Sequence, residues 1–163
     1  MVSLARIDDR LIHGQVTVGW SRHLQPDRIL LCNEEVAADP WQSRVYASSV
    51  PPKLAVAILG REAAAADLRD ARPDRRDILL TSDPADMLAL VRAGVALPEI
   101  NVGGMHYAKG KAELHEYVWL DRDDVAALRG LLAAGCRLYA QTVPGSRDAD
   151  IDAADLDRIE AEL

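Results

Sequence analysis

Short apolar runs of strand character alternate with helix-period segments along the whole chain, and no other sequence feature narrows the fold as far. VSLARI (2–7), RILLC (28–32), LAVAIL (54–59), DILLT (77–81), EINV (99–102), EYVWL (116–120) and RLYAQTV (137–143) are the strand candidates. Between them lie GQVTVGWSRHL (14–24), the segment 39–50, EAAAADLRDA (62–71), ADMLALVRAG (85–94) and DRDDVAALRGLLAAG (121–135), each read as helix. Asp39 with Pro40, and Asp83 with Pro84, are placed to start helices, while Gly94 and Gly135 fit the stops. The acidic tail from Asp148 is expected to close as a solvated helix. Alternation of this kind builds βαβ units with right-handed crossovers. The expected fold class is therefore α/β, a three-layer α/β/α arrangement on a mainly parallel sheet, as one domain over 1–163. Only 13 residues separate EINV from EYVWL, little room for a crossover helix, so one or more edge strands are expected to run antiparallel.

A chain of 163 residues buries about 70% of its unfolded surface, enough for a sizeable core. Phe is absent and aromatics are scarce, so Leu, Val, Ile and Ala must fill that core, with Trp20 and Trp41 on apolar helix faces expected to join it. The formal charge of -7 argues against a sequence-independent nucleic-acid binder, which needs basic surface to displace counterions. Cys32 and Cys136 each sit in an apolar setting without metal-ligand spacing, and read as buried reduced thiols. The N-terminus lacks the basic region and apolar core of a signal peptide. No apolar stretch approaches the roughly 18 residues of a membrane span, so any membrane connection runs through a partner.

Ligands of open parallel α/β sheets bind beyond the carboxyl ends of the strands, where strand order reverses. Of the loops there, Arg6-Ile7-Asp8-Asp9-Arg10-Leu11-Ile12-His13-Gly14-Gln15 concentrates charge, a histidine and a glycine between the first strand and the first helix. A helix start supplies free amides and partial positive charge for an anion such as phosphate. Gly14 leaves room for phosphate oxygens, and Arg6 or Arg10 could bind them through forked hydrogen bonds. His13 could attack phosphorus through a neutral ring nitrogen, with Asp8 or Asp9 orienting the other nitrogen. The competing reading is a surface histidine beside a solvated turn whose ion pairs contribute little.

A second loop, Gly103-Gly104-Met105-His106-Tyr107, leaves the same sheet edge, and its glycines permit close approach of a substrate or an ordinary turn. Thr81 and Ser82 could donate to phosphate or simply serve the helix that follows. Asn33-Glu34-Glu35 lacks the glycine fingerprint that a dinucleotide site requires. His23 and His115 read as surface residues. A zinc site on His13 and His106 lacks a third ligand, so no metal and no cofactor is expected.

RIDDRLIHGQV (6–16), NEEVAADPWQ (33–42), NVGGMHYAKGK (101–111) and Val143-Pro144 together resemble the mannose/fructose/sorbose family of bacterial phosphotransferase-system IIB subunits. That resemblance implies a sheet ordered 3-2-4-1-5-6 plus an added edge strand. It implies phosphorylation of His13, with Asp9 and Arg10 beside it as catalytic residues. Arg6, Gly14 and Gln15 would hold the phosphoryl group; from their place at the strand ends rather than from the resemblance, Thr81 and Ser82 are further phosphate-binding candidates and Gly103, Gly104 and His106 a possible substrate loop. The implied partners are a IIA domain as donor, membrane IIC and IID subunits, and a sugar as acceptor. The implied place is the cytoplasm, at the inner membrane through IIC and IID; a homodimer stays open. The other two readings are a regulatory phosphoprotein or binding module of an incomplete system, and a phosphate-ester hydrolase or mutase.

Overall fold

The computed structural model describes all residues from Met1 to Leu163. Nine strands and seven α-helices follow one another in near-regular alternation. The main sheet contains β1 (Val2–Asp8), β2 (Arg28–Cys32), β3 (Ala55–Leu59), β4 (Asp77–Thr81), β5 (Glu99–Gly104), β8 (Arg137–Ala140) and β9 (Ala149–Asp150). Their spatial order is β3-β2-β4-β1-β5-β8-β9, with every pair parallel except β8 and β9. This is the expected order with an antiparallel edge strand added.

Strand periodicity divides the core. Leu4, Ile29, Leu31, Ile78 and Leu80 face one side, where Leu11, Ile12, Val16, Trp20, Val36 and Val50 cover them. Ala5, Ile7, Leu30 and Leu79 face the other, under α4 (Arg61–Arg69), α5 (Pro84–Arg92), α6 (Arg122–Ala133) and α7 (Ala153–Glu162). The expected helix starts are present. The Asp39 side chain accepts from the Trp41 and Gln42 amides, and Asp83 from the Asp86 amide, each with Pro next in the chain.

Several elements differ from expectation. The 14–24 helix opens as a π-helical segment, Gln15–Trp20, before tightening into α1 (Ser21–Leu24). Such widened turns are frequent at functional sites. Asn33 caps a short helix, α2 (Glu34–Ala38), ahead of α3 (Pro40–Ser48). Trp41 is 70% exposed on α3, so helical period marked an apolar face that nothing covers. The 99–120 stretch holds no crossover helix: β6 (Ala112–His115) and β7 (Val118–Leu120) form an antiparallel hairpin outside the main sheet. The acidic tail is more than a solvated helix. Asp152 and Asp155 form a capping box, and Leu156 and Ile159 of α7 are buried in the core. No helix is long and apolar enough to cross a membrane.

β1 lies at the order reversal. The chain leaves β1 toward the face covered by α1, α2 and α3, whereas from its neighbour β5 it passes to the hairpin, whose Leu114, Val118 and Leu120 belong to the opposite core. The two loops therefore diverge and leave a crevice between them.

Candidate functional site

Arg6 and Asp8 are two residues apart on β1 and share a face of the sheet. Both side chains are fully buried. Asp8 gathers every donor near it. Its carboxylate accepts from Arg6 Nη2 at 2.8 Å, Arg10 Nε at 3.0 Å and Nη2 at 2.9 Å, and the Arg10 amide at 3.1 Å. His13 Nε2 lies 3.1 Å from the same carboxylate. Burial alone would raise the Asp8 pKa. Hydrogen bonds from His13 and Arg10, with the charge of Arg6, reverse that and hold it far below the usual carboxylate range. An ionised carboxylate only accepts, so Nε2 carries the proton and Nδ1 of a neutral imidazole keeps its lone pair.

The Arg6 guanidinium is held from its other side as well. Nη1 donates to Asn101 Oδ1 at 2.5 Å and to the Gln141 carbonyl at 3.0 Å, and Asn101 Nδ2 donates to that same carbonyl at 3.1 Å. The group also lies 5.7 Å over the ring of Trp20. Gly103 makes room for it: a Cβ at that position would collide with the guanidinium. The glycine expected to admit a ligand admits Arg6 instead. At Gly104 a Cβ would press within 3.2 Å of Arg10 Nη2 and 3.3 Å of Asp8 Oδ1.

The turn after β1 places His13. The Leu11 amide bonds the Asp8 carbonyl at 3.0 Å, and Leu11 takes a left-handed φ of 59°. A leucine there is uncommon, and such strain collects at functional sites. The His13 carbonyl accepts from Val16 and Thr17 and so begins the helix. The amides of Gly14 and Gln15 find no acceptor in the chain. Nothing lies within 4 Å of where a Gly14 Cβ would be. Gln15 Oε1 accepts from Arg10 Nη2 at 2.9 Å and lies 3.4 Å from Arg6 Nη2. The Arg10 side chain is 33% exposed and that of His13 18%, so solvent reaches both while Asp8 is sealed beneath them.

The structure thus joins Arg6, Arg10, His13 and Gln15 in one network and lays Gly14, Gly103 and Gly104 against it. Asp9 stands apart from His13. It ties the two loops together, accepting from the His106 amide at 2.7 Å with its other oxygen 2.5 Å from His106 Nδ1. Asp8 takes the orienting position instead. Thr81 and Ser82 lie outside the network. Thr81 Oγ1 donates to the Asp83 carbonyl, and Ser82 Oγ donates to the Asp83 carboxylate and accepts from Asn33. His13 and His106 bond different aspartates, and no group of three His, Cys, Asp or Glu side chains converges for a metal ion. Burial pushes the Cys32 thiol up to about 12, which leaves it unreactive at neutral pH.

Asn101 escaped sequence reasoning, although a single amide in the apolar run EINV was a signal. Asp8 could also have been separated from Asp9, because strand period puts residues 6 and 8 on one face.

Comparison with known proteins places this arrangement. The family model described as "PTS system sorbose subfamily IIB component" matches residues 2–161. The N-acetylgalactosamine-specific phosphotransferase enzyme IIB component 2 of Escherichia coli (strain K12) is 37% identical over 150 residues, covering 92% of this chain and 96% of its own. The mannose-specific EIIAB component of the same organism is 33% identical over 157 residues, 96% of this chain and 48% of its own. The crystal structure of the IIBSor domain of the Klebsiella pneumoniae sorbose permease superposes with a TM-score of 0.87 at 36% identity, covering 100% of this chain and 98% of that one. IIB components are phosphotransferases that work with IIA and IIC/IID partners in sugar uptake. With its sheet order and nearly its full length matched, the chain belongs to the sorbose subfamily of sugar phosphotransferase-system IIB components.

Proposed function

We propose that His13 carries the phosphoryl group, taking it on Nδ1 from the phosphohistidine of a IIA domain and giving it to a sugar presented by IIC and IID subunits. The Nε2···Asp8 contact carries this reading, because it fixes the tautomer and leaves Nδ1 free. In the first transfer the donor's N–P bond breaks as the Nδ1–P bond forms, and the donor imidazole leaves with its electron pair. In the second a sugar hydroxyl attacks phosphorus, His13 leaves as neutral imidazole, and the hydroxyl proton passes to water. Two arginines balance one carboxylate here, so the site holds one net positive charge for the incoming dianion. Arg10, exposed enough to reach the phosphoryl oxygens, acts together with the Gly14 and Gln15 amides and the Gln15 side-chain NH₂. Arg6, sealed from solvent, acts through Asp8.

This reading treats 1–163 as one IIB domain whose site is complete within one chain, so the chemistry requires no homodimer. The chain would act at the inner face of the membrane, bound there by IIC and IID. The names of relatives, for sorbose, mannose and N-acetylgalactosamine, support a hexose or hexosamine as the acceptor class.

The deciding experiment incubates the chain, and His13→Ala, with labelled phosphoenolpyruvate, the general carrier proteins and a IIA domain. Acid-labile, alkali-stable label on the wild type alone is the expected result. Equal labelling of both would move the site away from His13.

A further inference from the structure

Charge is divided unevenly between the two faces of the sheet. Residues 1–54, which form β1, β2 and the layer of α1, α2 and α3, hold six Lys and Arg against six Asp and Glu, so the whole formal charge of -7 falls on residues 55–163. Those later residues supply α4 to α7, the layer on the opposite face. Within the first 54 residues, Arg6 and Arg10 pair with Asp8, and Arg28 with Asp67 and Asp77. Arg22 on α1, Arg44 on α3 and Lys53 in the turn before β3 are exposed and form no ion pair within the chain. Of the carboxylates on this side, Asp27 bonds the Arg76 amide, Asp39 caps α3 and Glu34 takes the Arg61 amide, which leaves Glu35 unengaged.

Three of the six exposed large apolar side chains, Val18, Trp41 and Val45, belong to the same layer. Trp41, Arg44 and Val45 follow helical spacing and form one outward stripe of α3. Where the first helix meets the turn after α3, Val18, Arg22, Pro51 and Lys53 surround an open hollow of about 570 Å³. The Thr17 and Ser21 hydroxyls there already donate to helix carbonyls, so Arg22 and Lys53 are its unengaged polar groups of full charge.

An anionic bilayer surface matches this combination. Headgroup phosphates pair with lysine and arginine, a tryptophan ring settles at the depth of the headgroups, and short aliphatic side chains reach the acyl boundary. Such a surface is broad enough to meet all three cations at once, although they are spread over two helices and a turn. The acidic layer of α4 to α7 faces away from it across the sheet, beyond the Debye length of about 8 Å, and adds little repulsion. His13 stands at the edge of the sheet rather than on this face, so contact here leaves its Nδ1 open. We propose that α1, α3 and the turn 51–54 form a contact surface for anionic phospholipid, with a headgroup phosphate in the hollow between Arg22 and Lys53 and Trp41 in the interface. Three cations and one tryptophan make a weak, salt-sensitive contact. It orients a chain that protein partners also hold, turning the edge that carries His13 along the membrane plane.

The test uses the full chain with vesicles of equal parts phosphatidylglycerol and phosphatidylcholine, against phosphatidylcholine alone. The variants are Arg22→Gln/Lys53→Gln and Trp41→Gln, all at exposed side chains; circular dichroism checks that each folds. Wild type is expected to sediment with the anionic vesicles at low ionic strength, to be released by salt, and to stay in solution with phosphatidylcholine. Its tryptophan emission should move to the blue on binding, a change lost in Trp41→Gln. Each variant should bind at least threefold more weakly, while phosphorylation of His13 by a IIA domain in solution stays within twofold of wild type. No sedimentation of wild type, equal binding to both vesicles, or equal binding by the variants would overturn the proposal. Slower labelling of the variants by IIA would make this face a IIA docking surface and overturn it. Equal retention by anionic and zwitterionic vesicles that carry IIC and IID subunits would assign the face to those proteins, with the same consequence. Vesicle binding is read without phosphate, so it decides this proposal whether or not His13 takes label.

Discussion

Arg6 and Asn101 stand opposite each other in the register of β1 and β5, and the guanidinium donates to the amide oxygen at 2.5 Å inside the sheet's interior. The pair sits one step below the surface at which His13 is presented. Asn101 holds Arg6, Arg6 holds Asp8, and Asp8 holds the ring of His13. An argument about the histidine is therefore also an argument about a strand residue far from it in sequence.

Replacing Asn101 with Ala removes one acceptor from a fully buried guanidinium and leaves the Gln141 carbonyl alone on Nη1. A buried donor that loses a partner costs about 1–3 kcal/mol, more when it is charged. Urea unfolding should show a loss of that size, and the rate of His13 phosphorylation should fall with it.

Gly103→Ala puts a methyl group where the Arg6 guanidinium lies. Because that guanidinium is packed and bonded on every side, it has nowhere to move. Overpacking of this kind costs about 1–3 kcal/mol, and the displaced Arg6 should release Asp8. Thermal unfolding and the phosphorylation rate are expected to drop together, the rate by tenfold or more.

Gly14→Ala should separate stability from activity. Gly14 has a helical φ of −54° and open space around its Cβ position. The substitution should therefore stabilise the fold slightly, by about 0.4–1 kcal/mol. If phosphoryl oxygens occupy that space, His13 phosphorylation should slow at least tenfold. A variant that is more stable and equally active would remove Gly14 from the phosphoryl site.

Acid should weaken the fold in part through Asp8. Its folded pKa lies far below the unfolded value, so its contribution is complete above about pH 4 and shrinks as pH falls further, when the unfolded chain takes up the proton first. In Asp8→Asn the slope of unfolding free energy against pH below about pH 4 should be shallower by up to about 1.4 kcal/mol per pH unit. At neutral pH the same variant should be less stable by about 3–5 kcal/mol, because it leaves two arginines without their carboxylate.

Cys32 should resist iodoacetamide at pH 8 in the native protein and react once the chain is unfolded, since burial, helped by the charges of Asp86 and Glu34, pushes its thiol up to about 12. Mass spectrometry of the peptide containing residue 32 reads the difference.

Much of this architecture was legible in the sequence, for identifiable reasons. Strands β2, β3 and β4 carry apolar runs, ILLC, AVAIL and ILL, because both faces of a parallel sheet are covered, and helices announce themselves through Asp39-Pro40, Asp83-Pro84 and Asp121. The hairpin was less legible. AELH is a short alternating run with one face to solvent, a pattern that a loop also satisfies. Trp41 misled because helical period identifies an apolar stripe without saying whether anything packs on it. At the site, His13, Arg10 and Gln15 were legible as a loop rich in suitable chemistry. The choice between Asp8 and Asp9 was open to strand period, which puts residues 6 and 8 on one face, whereas the left-handed turn at Leu11 that places His13 is one that composition gives no reason to expect. Asn101 and Gln141 were invisible as partners of Arg6, because separations of 95 and 135 residues leave no local trace.

Those same separations bear on the protein's synthesis. Asp8, Arg10 and His13 leave the ribosome well before the acceptors that lock Arg6, which are Asn101 and the carbonyl of Gln141, past the end of β8. A growing chain thus exposes its histidine long before the sheet closes across β1, β5 and β8. Until Gln141 has been added and folded into place, the histidine has no fully anchored network beneath it, so the ring is held only once the chain from β1 through β8 has come together.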